Sequence, residues 1–161
     1  MIIKQKQKQI EKQQLVVIRD TREQTGYLFN TIVPKPTVID KGLKTGDYSI
    51  EGYENEVTVE RKSLADAYGS FGRGRKRFEL ELGRMSKFRY AAVVIEADWL
   101  TIIKSPPVRS QMKPKAVFAS IIAWSIRYKV QFYTCPDRWF AEKLTYRILE
   151  RYWKDNVIRI N

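Results

Sequence analysis

Asp47 directly after Gly46, then Glu60 and Lys62 in the run Glu56-Val57-Thr58-Val59-Glu60-Arg61-Lys62, give two carboxylates and a lysine at a spacing suited to metal-assisted phosphodiester hydrolysis. That reaction needs charge neutralised on the phosphoryl oxygens, an activated water and a stabilised leaving oxygen, and hard cations held by carboxylates supply much of this. Side chains of an extended strand alternate between faces, so Thr58, Glu60 and Lys62 share one face while Val57 and Val59 take the other. Asp47 and Glu60 are therefore the expected metal-holding pair. Lys62 would orient or help deprotonate the attacking water, or stabilise developing negative charge. Asp20 and Glu23, after the apolar run that starts at Leu15, widen the expected acidic site, and Asp20 is counted among the candidate metal ligands. Asp66 falls about one turn into the helix expected after Lys62.

Absent residue types narrow the chemistry further. The chain has no histidine and one cysteine, which excludes histidine-based triads and Cys/His zinc sites. A catalytic ion must then sit on oxygen ligands, which selects hard cations such as Mg2+, with Mn2+ able to substitute. Cys135 has no second cysteine to pair with and reads as a small buried filler in preference to a nucleophile. Thirty Lys and Arg against 18 Asp and Glu give a formal charge of +12, which favours a polyanionic partner, nucleic acid first, although basic ribosomal and membrane-surface proteins share this balance. Arg73, Arg75, Lys76, Arg77 and Arg84 are the candidates for contacts to the nucleic-acid backbone. Gly69 to Gly74 has the outer spacing of a phosphate-binding loop, but Arg75 and Lys76 stand where Lys and Ser/Thr are required, so nucleotide hydrolysis is rejected.

The elements that must position these groups follow from hydrophobic patterning. Strands are expected over 15–19, 37–40, 47–51, 55–62, 91–95 and 130–134, and helices from 64 after an N-cap at Ser63, over 75–89, over 114–128 and over 136–154, with a short helical turn at 99–104. That order implies an α/β fold with a mixed central sheet flanked by helices. The helix over 114–128 is apolar around most of its circumference, so it is expected either at the centre of the core or at a subunit interface. Residues 1–14 read as a basic flexible tail and 15–161 as one domain. No apolar run has the length of a bilayer span and no secretory signal opens the chain, so an intracellular protein without membrane contact is expected, cytoplasmic or nucleoid-associated if prokaryotic.

Gly46-Asp47 followed by Glu60-Arg61-Lys62-x3-Asp66 resembles the signature of the XPF-type structure-specific endonuclease domain. Asp20-Thr21-Arg22-Glu23 is similar to that family's upstream Asp-x-Arg-Glu, and Ser70 to Met85 with Val93-Val94-Ile95-Glu96 looks like its helix and following strand. The resemblance implies a restriction-endonuclease-like fold of the PD-(D/E)xK superfamily and magnesium-dependent cleavage of branched, flapped or forked DNA. It implies Asp47 and Glu60 as metal ligands, Lys62 as catalytic lysine, and Asp20, Glu23, Arg61, Asp66 and Arg77 as supporting residues. It also implies a homodimer or heterodimer through the nuclease domain, for which the helix around Phe118–Ile126 and the Trp-rich C-terminal helix are candidates, and a helicase or clamp partner in trans. All eight glycines lie at or before Gly83, so the tandem helix-hairpin-helix module that relatives carry is not expected. Two competing readings are a non-catalytic DNA-binding subunit or scaffold of a nuclease complex, and an RNA-directed nuclease.

Overall fold

The two helix-borne crossovers expected between the last three strands fix the topology, because parallel neighbours cannot be joined by a tight turn. In the computed structural model, which describes residues 14–160, the strands are β1 (Val16–Arg19), β2 (Thr37–Asp40), β3 (Tyr48–Ile50), β4 (Val57–Lys62), β5 (Tyr90–Ile95) and β6 (Gln131–Thr134). They form one mixed sheet in the order β2-β1-β3-β4-β5-β6. β1 runs parallel to β2 and antiparallel to β3, β3 is antiparallel to β4, and β4, β5 and β6 are mutually parallel. Helices α1 (Leu64–Phe71) and α2 (Arg75–Met85) carry the chain from β4 to β5, and α3 (Trp99–Lys104) and α4 (Pro114–Tyr128) carry it from β5 to β6. After β6 the chain turns into α5 (Arg138–Ile160). The fold is α/β, as the patterning implied. The basic tail lies, but for Gln14, outside the described residues.

Alternation along the strands divides the core in two. Tyr48, Ile50, Val57, Val59, Ala92 and Val94 pack under Ala141 and Leu149 of α5. Ala91, Val93 and Ile95 pack instead with Phe71, Phe78, Leu82 and Trp124 of α1, α2 and α4. β5 is apolar on both sides because both of its faces are covered. β4 is not, and the side facing α1 and α2 is where Glu60 and Lys62 emerge.

For one helix the structure removes one of two expected alternatives, and for another it shifts the bounds. α4 buries Val117, Ile121 and Trp124 and leaves Phe118, Ile122 and Ile126 exposed, so it is not central to the core. Val117, Ile121 and Trp124 pack with residues of α1, α2, α3 and β5, while Trp99 of α3 also reaches Phe118 on the exposed side. α5 begins two residues later than Pro136, where the Asp137 carboxylate accepts from the Phe140 N–H at 2.7 Å, and it runs on past Lys154 because no Pro or Gly follows to stop it. Cys135 is fully buried, and burial pushes its thiol up to about 11, which suits a filler and not a nucleophile.

Candidate active site

The site is assembled where β3 and β4 run side by side. Gly46 has φ +78°, and a Cβ there would stand 1.9 Å from Thr58 Oγ1, so only glycine fits both the backbone and the space. The next residue, Asp47, is held on three sides. Its N–H donates to Val59 O at 2.9 Å, its carbonyl accepts from the Asp20 N–H at 2.8 Å, and its Oδ2 accepts from the Arg61 N–H at 2.7 Å. The carboxylate therefore leans on the main chain of β4 between Glu60 and Lys62.

Glu60 and Lys62 project from the same face of β4, both buried, with Lys62 Nζ donating to Glu60 Oε1 at 2.9 Å. Lys62 Nζ also lies 4.3 Å from the centroid of the Phe78 ring on α2, so its ammonium is fixed between a carboxylate and an aromatic face. Arg61, between them, takes the opposite face. Its guanidinium donates to Glu96 at 2.7 and 3.0 Å and comes within 3.5 Å of Glu23 Oε1. Glu96 also accepts from Tyr27 Oη and from Arg138 of α5. Burial disfavours the Arg61 charge, but the Glu96 hydrogen bonds and the charges of Glu96 and Glu23 outweigh it and raise its pKa. What Arg61 offers to Asp47 is its backbone N–H, from a strand that Glu96 and Glu23 hold in place.

Burial pushes the Asp47 carboxyl up to about 6, opposed by the Arg61 N–H and reinforced by the charge of Glu23. Burial, with the Asp47 charge next, raises Glu60 well above the usual carboxylate range in spite of Lys62. Two desolvated acids that repel each other, one buried and one half-buried, are what a cation relieves. One oxygen of each, Asp47 Oδ1 and Glu60 Oε2, has no protein donor among the described residues. Among these residues no group of three or more His, Cys, Asp or Glu is disposed to hold an ion, so the pair would supply two ligands and leave the rest to water and substrate oxygens. The donor set fits a hard cation.

The other candidates are distributed differently. Both oxygens of Asp20 are committed: Oδ1 to the N–H and Nε of Arg22, and Oδ2 to Arg22 Nη2 and the Leu43 N–H. Burial alone would raise its pKa, but these bonds lower it. Asp20 thus ties the loop after β1 to the segment before β3 and is not joined with Asp47 and Glu60 as a third ligand. Asp66 bonds to Ser63 Oγ through both its N–H and its carboxylate, a cap on α1 at the edge of the cleft.

Asp20, Glu23, Asp47, Glu60, Lys62 and Asp66 all border one cleft of about 910 Å³, with Arg77 and Arg84 on its α2 side. Of the remaining basic candidates, Arg73 borders the adjoining hollow and Lys76 is exposed outside both. Arg75 points the other way, with Nη1 on Ser120 Oγ at 2.9 Å and its guanidinium 4.6 Å from the Trp124 ring centroid. Two acids of the site were not among the expected residues. Glu81 borders the cleft one turn after Arg77, and its charge adds to the repulsion felt by Asp47 and Glu60. Its alignment with Arg77 and Arg84 along α2 was the available signal. Glu96 ends β5 as an acid after an apolar strand, and only the pairing of Lys62 with Ile95 sets it beside Arg61.

No curated protein matches the chain. Solved structures do. XPF from Aeropyrum pernix is similar over 85% of this chain at 19% identity and a TM-score of 0.68, covering 61% of that chain. XPF from Aeropyrum pernix in complex with DNA is similar over 88% at 20% identity, also with a TM-score of 0.68, covering 66% of that chain. The present chain therefore spans somewhat under two thirds of the length of these structures, and the likeness is one of fold, a six-stranded mixed sheet flanked by five helices. At the level of sequence the ERCC4 domain matches residues 9–147, most of the chain and all of the site described above, and the chain belongs to the ERCC4 domain family.

Proposed function

We propose that this chain is a nuclease domain that cleaves DNA endonucleolytically with Mg2+, which Mn2+ can replace, and that its substrates are branched, flapped or forked. The observation that carries this reading is the half-buried Asp47 beside the buried Glu60 and Lys62, facing one cleft whose α2 side bears Arg77 and Arg84. Mg2+ held by Asp47 and Glu60 would neutralise the phosphoryl oxygens and acidify a bound water. The chain's own residues do the rest. Lys62, fixed by Glu60 and Phe78, stands ready to orient that water or to meet developing negative charge. Arg61 holds the Asp47 carboxylate through its N–H, while Glu96 and Glu23 hold Arg61. Arg77 and Arg84 take flanking phosphates. Three observations favour DNA as the polyanion: one of the similar structures is a complex with DNA, the family is that of the ERCC4 domain, and the formal charge is +12.

The exposed apolar side of α4, continued by Trp99 at 5.1 Å from Phe118, and the exposed Trp139 and Phe140 of α5 suit a homodimer or heterodimer through this domain. A helicase or clamp acting in trans fits the same reading. The experiment is cleavage of labelled flap, fork, four-way junction and plain duplex DNA by wild type and Asp47→Ala in Mg2+, Mn2+ or chelator. Metal-dependent products from wild type, lost in the variant, are expected. Tight binding without product under any metal would replace this reading with the non-catalytic subunit, and preferential cutting of matched RNA with the RNA-directed nuclease.

A further inference from the structure

The acidic cleft continues beyond Arg77 into a second hollow of about 650 Å³, with Ala65, Gly69 and Arg77 common to both. One side of the hollow is α1 and the glycine turn after it, with Arg73; the other is the segment between α3 and α4, with Pro107, Arg109 and Met112. No acidic residue lines it. The floor depends on Gly72, where a Cβ would stand 3.2 Å from Tyr68 O and 3.5 Å from Met112 Cγ.

Eight arginines elsewhere in the fold have carboxylate partners: Arg19 with Asp40, Arg22 with Asp20, Arg61 and Arg138 with Glu96, Arg75 with Glu79, Arg89 with Glu56, Arg147 with Glu150 and Arg151 with Asp155, while Arg84 and Arg127 stand apart without one among the described residues. Arg73, Arg77 and Arg109 have none among the described residues, yet they border one hollow. Three like charges around a space without a counter-charge repel one another and draw in an anion with several charged groups. Pro107 and Met112 add an apolar wall to the same space.

We infer that this hollow receives a single-stranded segment of DNA adjoining the phosphate to be cut. Arg73, Arg77 and Arg109 meet successive phosphates, and Pro107 and Met112 meet the face of an unpaired base. The inference rests on the nuclease reading above and assigns the strand a path out of the acidic cleft. Single-stranded DNA suits both kinds of lining, because its bases are free to leave the stack and lie on an apolar wall. A duplex keeps its base faces stacked inside and could offer the hollow only phosphates, so it would rest on the rim without using Pro107 or Met112.

The test measures binding of labelled single-stranded and duplex DNA of one sequence over a range of salt in chelator, for wild type and Arg73→Ala/Arg109→Ala, beside cleavage of the best substrate in Mg2+. Both arginines are exposed and without carboxylate partners, so the variant is expected to keep its melting temperature. Expected are an affinity for single strands lower by about tenfold or more and a salt slope shallower by about 0.7 for each arginine removed, with a clearly smaller loss on duplex. Arg73→Lys/Arg109→Lys should restore most of the slope, which loss of folding could not explain. An unchanged single-strand slope, or an equal loss on duplex, overturns the assigned path while metal-dependent cutting by wild type keeps the nuclease reading. A wild type that neither binds nor cuts either form overturns both.

Discussion

Asp20 and Asp47 are joined by a backbone hydrogen bond of 2.8 Å and border the same cleft, but their carboxylates have opposite surroundings. Around Asp20, Arg22 and the Leu43 N–H fill both oxygens, and the acid is held below its ordinary pKa. Around Asp47, which is less buried than Asp20, there is one N–H and a neighbouring acid in Glu60, so its desolvation goes uncompensated and the carboxyl is driven up to about 6. One carboxylate is used up in joining two loops. The other is kept under-satisfied, at a cost to stability, and such a group has differential affinity left over for a cation. An acidic residue at a cleft is thus a ligand candidate only when the protein has not already met its hydrogen-bonding capacity.

The contrast can be broken at several points. The largest effect is expected from Lys62→Met, which leaves Glu60 without its partner and removes the ammonium that shares its face of β4; cleavage in Mg2+ should fall by about 10²–10⁴ in a single-turnover assay. Asp20→Asn should leave the metal requirement unchanged but cost about 2–4 kcal/mol in urea unfolding at neutral pH, because the amide turns a donor toward Arg22 or the Leu43 N–H. Since the folded pKa of Asp20 lies below the unfolded one, that cost is full above about pH 4 and shrinks as the pH falls through the folded value.

Asp47→Asn should go the other way. The folded pKa of Asp47, about 6, lies above the unfolded value, so the wild type has no handicap below about pH 4 and acquires one as the pH rises through 6. In chelator at pH 8 the variant should be more stable by about 2–3 kcal/mol, with the gain vanishing near pH 4 and reversing in sign when Mg2+ is added to both proteins. Equal stability of the two proteins across this range would show that Asp47 is not strained in the folded state. The smallest effect is expected from Arg22→Ala, which moves Asp20 toward the condition of Asp47. Arg22 is largely exposed and its ion pair is screened by water, so a loss of about 1 kcal/mol is expected, together with an upward movement of the Asp20 titration followed by carboxyl NMR.

Much of the fold was legible because its signals are local. The apolar run of β5, the alternation of β4 and the cap at Ser63 each announce an element within a few residues. The common face of Glu60 and Lys62 needs nothing but the two-residue period of a strand. Basic residues of α2 were harder to assign. Arg75 and Arg77 look alike in sequence, but two residues along a helix turn the side chain by about 200°, and packing against Trp124 decided that Arg75 is the one turned inward. Asp20 could not be told from a ligand, since its partners Arg22 and the Leu43 N–H meet it only through the conformation of two loops.

The residues alone were enough for the α/β order of elements, the shared face of Glu60 and Lys62, the glycine before Asp47, and the oxygen-only ligand chemistry that follows from lacking histidine. These are consequences of residue type and short-range periodicity. The tertiary structure alone decided that Glu96 and Glu23 hold Arg61, that Asp20 is consumed by Arg22, that Glu81 joins the acidic cleft, and that Arg73, Arg77 and Arg109 border one hollow. Each of those depends on distances between segments far apart in the chain, which sheet register and helix packing set and no local pattern records.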